Sequence, residues 1–170
     1  MKTFAPLLAL GLALAATVPA TAQTAPAQTA QTAPPAPAPP YGTPISLDAA
    51  QVLIDRAVAY GQSKGWRLAI AVVEPSGELV AFARMDDTQY GSIHVAQRKA
   101  ETAARYRITT ALMEERVQTG RIVTLANSEA FAIAGGIPIV VEGRIVGAIG
   151  VSGATAAQDT ETATAALAAD

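Results

Sequence analysis

The sequence predicts an α+β domain in which helices flank a five-stranded antiparallel sheet, in the order α-β-β-α-α-β-β-β-α. Composition is the first ground: 51% of the 170 residues are apolar and 15% are charged, enough for one substantial core. The second is a set of five short segments that read as strands, the 67–74 run rich in β-branched residues, joined by short turns that favour antiparallel pairing. The third is helical spacing of apolar residues in the segments between them.

Residues 1–22 read as a secretory signal: Met1-Lys2, an apolar run from Leu7 to Ala16, then Ala20-Thr21-Ala22, with cleavage expected after Ala22. The run is too short for an ordinary spanning helix, and the mature chain is expected to have no membrane span. No cysteine follows it to carry a lipid, so a soluble periplasmic or secreted protein is expected. Residues 23–44 hold seven of the eleven prolines and no charge. Their Ala, Gln, Thr and Pro content predicts a disordered, semi-extended tether. The folded domain is then 45–170.

Within that domain Ser46 is placed to cap a helix, with Asp48 in its first turn and Leu47, Ala50, Ile54, Ala57 and Val58 on one face. Gly61 to Gly65 should end it. Arg67 to Glu74 and Glu78 to Arg84 form a hairpin around Glu74-Pro75-Ser76-Gly77, where proline second and glycine fourth suit a type I turn. Alanine content and helical periodicity predict a helix over Ser92–Tyr106, and a shorter one follows over Thr109–Gln118. Gly120 to Ser128 carries little signal. Strands are expected over 130–134, 137–142 and 144–151, with breaks at Gly135-Gly136 and Glu142-Gly143. A final helix is expected over 154–168.

Several function classes fall away on composition alone. A net charge of −2 argues against general nucleic-acid binding, which needs a broad positive field. Without cysteine there are no disulfides, thiolate nucleophiles or Cys-held metals, and one histidine rules out a multi-histidine site. Gly147, Gly150 and Gly153 match no phosphate-loop spacing and read as strand curvature or close packing. Asp86-Asp87 lacks the further oxygen ligands of a calcium loop and reads as a turn. Ser152 has no nucleophile-elbow context. Residues 152–155, ahead of the last helix, could still offer backbone N–H groups to a carboxylate.

One local constellation remains. At about 100° per residue, His94, Arg98, Glu101, Thr102 and Arg105 share one sector of the second helix, with Ile93, Ala96, Ala100, Ala103 and Ala104 opposite. The alanines would let that helix approach the sheet, leaving the polar stripe free. A haem site uses parts of this kind: an imidazole for the iron, cations for the propionates, and apolar neighbours such as Met85, Tyr90, Ile93, Val95 and Tyr106. The plainer reading is a solvated face with Glu101 paired to Arg98 or Arg105.

Four segments, ISLDAAQVLIDRAVAYGQSKG, LAIAVVEPSGELVAFARMDD, SIHVAQRKAETAA and GGIPIVVEGRIVGAIGVSGATAAQD, together resemble the GlcG/HbpS family of haem-binding proteins. That family also includes the C-terminal domain of some corrinoid adenosyltransferases. The resemblance spans Ile45 to Leu167. It implies a profilin-like domain that self-associates into a homo-oligomer and, in several members, binds haem. In exported members it implies haem capture, sequestration, or haem-linked redox sensing with a membrane sensor or transporter as partner. Lys99-Ala100-Glu101-Thr102-Ala103 matches the family's Lys-Ala-x-Thr-Ala element, which makes Lys99 and Thr102 the implied haem neighbours. His94 as iron ligand rests on local chemistry instead, with Thr102 the alternative, and Arg98, Lys99 and Arg105 are assigned to carboxylates.

The resulting expectation is an exported haem-binding accessory protein, with haem or a related tetrapyrrole as ligand and no catalytic residues assigned. Two rivals stand beside it: an enzyme or binder acting on a small carboxylated metabolite or corrinoid, and an oligomeric structural or signalling module.

Overall fold

The computed structural model describes residues 37–168. The signal segment and most of the tether lie outside the described residues. Helix α1, Leu47–Lys64, starts where Ser46 Oγ accepts the Ala49 N–H and ends at Gly65, whose φ of 72° only glycine adopts readily. Strands β1, Ala69–Val73, and β2, Leu79–Arg84, form the expected hairpin, closed by a 2.9 Å hydrogen bond from Gly77 N–H to Glu74 C=O. Helix α2 runs Gly91–Tyr106 and α3 runs Thr110–Gln118, followed by a short 3-10 helix, Ile122–Ala126. Strands β3, Gly136–Val141, and β4, Arg144–Ser152, meet at Glu142-Gly143, where φ values of 49° and 73° make the tight primed turn that hairpins favour. Helix α4 spans Ala156–Leu167.

The sheet has four strands in the order β2-β1-β4-β3, each antiparallel to its neighbours, rather than the five expected. The missing strand is the 130–134 run. Its backbone N–H groups turn to side chains: Phe131 donates to Thr102 Oγ1 at 2.9 Å and Ala134 to a Glu114 carboxylate oxygen at 2.9 Å. All five residues of the run are apolar, but these hydrogen bonds go to side chains and not to a neighbouring strand.

Helices cover both faces of the sheet. Ile70 and Val72 of β1, with Ile139, Ile149 and Val151, pack against Ala50, Ile54 and Ala57 of α1 and Ala163 and Ala166 of α4. Ala69, Ala71 and Val73 of β1 point the other way, with Ala148, onto Ala96, Ala100, Ala103 and Ala104 of α2. β1 is buried along its whole length, which explains its unbroken apolar run. On the α2 side the contact is backbone to backbone: a Cβ on Gly150 would lie 2.1 Å from Ala96 C=O, and one on Gly136 would lie 2.3 Å from Lys99 C=O. The close packing expected of Gly150 is therefore what positions α2.

β1 pairs with β4 only as far as Ala148, and the chain before α1 fills the remaining edge. Ile145 N–H donates to Pro40 C=O, Gly42 N–H to Ile145 C=O and Ile45 N–H to Val146 C=O. The Tyr41 hydroxyl also donates to the Arg105 carbonyl at 2.9 Å, near the C-terminal end of α2. At the far side of the sheet, edge strand β3 carries Pro138 and a register shift between Ile139 and Val140.

α4 begins with a reciprocal cap in which Thr155 and Gln158 each satisfy the other's backbone N–H. Thr155→Ala should cost about 1 kcal/mol, read as a lower denaturation midpoint at unchanged m-value.

Candidate functional site

Because its alanine face is seated on the sheet, α2 turns the opposite face outward, and the structure divides the expected stripe in two. His94 is exposed, and no hydrogen bond or ion pair holds its imidazole among the described residues. Tyr90, one turn earlier, is also exposed, and the Arg84 guanidinium sits 5.2 Å from its ring centroid. Arg98, one turn later, is half-buried over the Phe131 ring at 5.5 Å. Spaced by four, Tyr90, His94 and Arg98 fall on one side of the helix.

The rest of the stripe is committed to the fold. An Arg98 Nη2 donates to the Ser128 carbonyl at 2.6 Å, and its Nε lies 4.0 Å from Glu101. Arg105 donates to the Ser76 carbonyl at 2.6 Å and lies within 3.7 Å of Glu78 and 3.6 Å of Glu129. These contacts fasten the β1–β2 turn and the 128–131 segment onto α2. The expected Glu101–Arg98 pair is present, whereas Arg105 turns to other carboxylates.

Two of the expected ligand neighbours are engaged within the fold. Thr102 is fully buried and its hydroxyl oxygen accepts the Phe131 N–H. Lys99, 1% exposed, does not reach a ligand carboxylate: its ammonium donates to Asp159 Oδ2 at 2.8 Å and to Val151 C=O at 2.9 Å. Asp159 in turn accepts the Ala154 N–H at 3.1 Å. A carboxylate thus does bind at the start of the last helix, as residues 152–155 suggested, but it belongs to the protein. Burial raises the Asp159 carboxyl above its ordinary value, and the Lys99 ammonium opposes that shift without cancelling it.

The residues present fit haem at the N-terminal half of α2 and not along its whole length. A free imidazole suits an iron whose equatorial positions a porphyrin fills, and no group of three or more metal-ligating side chains occurs among the described residues. Tyr90 offers an aromatic face, and Arg84 and Arg98 lie on either side of it in sequence. Arg84, Phe131 and Asp159 were not marked as site residues by the sequence. The four-residue spacing of Tyr90, His94 and Arg98 could have tied the ring to the imidazole. Nothing local ties Lys99 to a partner sixty residues away.

A three-layer α/β/α sandwich with one helix laid on glycine and alanine, and an open imidazole on its outer side, defines a small binding module. The chain belongs to the HbpS-like family: residues 45–168 match the family described as "Haem degrading protein HbpS-like". It is 40% identical to Protein GlcG of Escherichia coli over 108 residues, covering 64% of this chain and 81% of GlcG. A double mutant of HbpS from Streptomyces reticuli superposes with a TM-score of 0.69 at 27% identity, covering 88% of this chain and 97% of that one. A PduOC:heme complex superposes with a TM-score of 0.68 at 24% identity, covering 74% of this chain and 94% of that one, and shares the fold.

Proposed function

We propose that this protein is an exported haem-binding protein whose haem face is the outer surface of the N-terminal half of α2. The observation that carries the proposal is the exposed His94 imidazole, without a partner among the described residues, in a chain of the HbpS-like family. Haem supplies a redox-active iron when bound. His94 would hold that iron, the Tyr90 ring would pack on the macrocycle, and Arg84 or Arg98 would meet a propionate. Lys99, Thr102 and Arg105 serve by positioning: they fix α2 to β4 and α4, and fasten 128–131 and the β1–β2 turn beside it. PduOC, of the same fold, is known as a heme complex, which supports the reading. Capture or sequestration in the periplasm, between copies of a homo-oligomer or handed to a membrane sensor or transporter, is the role we assign. No helix among the described residues is long and apolar enough to cross a membrane.

Titrating the protein with hemin should give a saturable Soret shift at about one haem per chain. A linear, unsaturated rise would end the proposal. His94→Ala should weaken binding about tenfold or more and change the iron's spin state. An unchanged spectrum would remove His94 as ligand while leaving haem binding intact.

A further inference from the structure

The groove between the end of α2, α3 and the 3-10 helix is independent of the haem face. His94 precedes Tyr106 by twelve residues of α2, about 18 Å along the axis. The groove holds about 340 Å³, within the range of small-molecule sites. Its lining mixes Met113 and Val123 with Thr124 and Asn127 and with two arginines, Arg116 and Arg121. Arg121 N–H donates to the Arg116 carbonyl at 2.8 Å, which brings the backbones of the two arginines together. Neither guanidinium has a hydrogen-bond, ion-pair or ring partner among the described residues. That sets them apart from Arg98, Lys99 and Arg105, all of which are engaged internally. Beside the groove Ile122, Val123 and Leu125 are exposed on the 3-10 helix.

A groove part apolar and part polar, lined by two guanidinium groups without a partner among the described residues, suits an apolar body ending in a carboxylate. We propose that this groove binds a small apolar carboxylate, its tail over Met113 and Val123 and its head held by Arg116 and Arg121. Concavity and charge favour this occupant over a second copy of a chain whose net charge comes to only −2, spread over its whole surface.

Decanoate is the probe and decanol its uncharged control, both titrated calorimetrically into the full chain. Decanoate should bind saturably, one per chain, and about tenfold more tightly than decanol. Arg116→Gln and Arg121→Gln should each weaken it about tenfold, and Val123→Asp, at an exposed position, should abolish it. Arg67→Gln, outside the groove, should change nothing. Absence of saturable binding, equal affinity for decanol, or binding indifferent to both arginine variants would each overturn the proposal. So would a fall in assembly mass on Val123→Asp in a parent that binds no decanoate, which would give the groove to a second copy.

Discussion

Asp159→Ala should cost about 3–5 kcal/mol of folding stability at neutral pH, because it leaves the Lys99 ammonium buried with one carbonyl for company. Chemical denaturation reads this directly. Lys99→Met tests the same pair from the other side and should respond to pH. Burial is what raises the Asp159 carboxyl, and without the ammonium only the backbone N–H groups of Ala154 and Gly153 oppose it. A carboxyl whose folded pKa is raised contributes stability that is complete below its unfolded value, about 4, and is lost as pH climbs through the folded value. The deficit of Lys99→Met relative to the parent should therefore be smallest below the unfolded value and grow as pH climbs through the folded one. A flat deficit would show that Asp159 does not titrate within the fold. Folded Lys99→Met should still bind hemin, since Lys99 lies beneath the proposed haem face and not on it.

Gly150→Val should destabilise the protein by about 3 kcal/mol or more, at the upper end for overpacking. The obstructing atoms are backbone: a Cβ at this position meets Ala96 C=O at 2.1 Å and Ala100 N at 2.6 Å, and neither can swing aside as a side chain would. Relief requires α2 to lift from β4, carrying His94 with it. Thermal unfolding and hemin titration should thus worsen together. Gly143→Asn is the control, since open space surrounds Gly143 and asparagine tolerates its positive φ. A Gly150→Val protein as stable as that control would refute the close approach of α2.

Most of the architecture was legible because local signals and tertiary packing agree. The Ser46 and Gly65 caps, the Glu74–Gly77 turn and the Glu142-Gly143 hairpin all fall where their residue types demand. The 130–134 run misleads because an apolar segment does not name its hydrogen-bond partner, and here the Thr102 and Glu114 side chains accept from it. At the site, the helical wheel brought His94, Arg98 and Arg105 to one side of α2, yet it could not show which cations were already spent. Lys99 sits at the margin of that stripe, and its burial follows from Asp159 on α4, a contact that no local period reveals. The Arg116–Arg121 groove escaped notice because it is built partly from the weakly patterned stretch after Gly120.

Pro138 and the register shift beside it bear on whether another strand can add to the sheet. Proline has no N–H to donate, and along a ladder its nitrogen is tolerated only where no hydrogen bond is needed, so the open margin of β3 is one donor short. The register shift leaves Val146 of β4 as an extra residue, and such a bulge sharpens the local twist of the sheet beside β3. Exposed Val140 and Val141 would otherwise make it an inviting place for another chain to stack in amyloid fashion. Lateral growth of the sheet by a further strand is discouraged there.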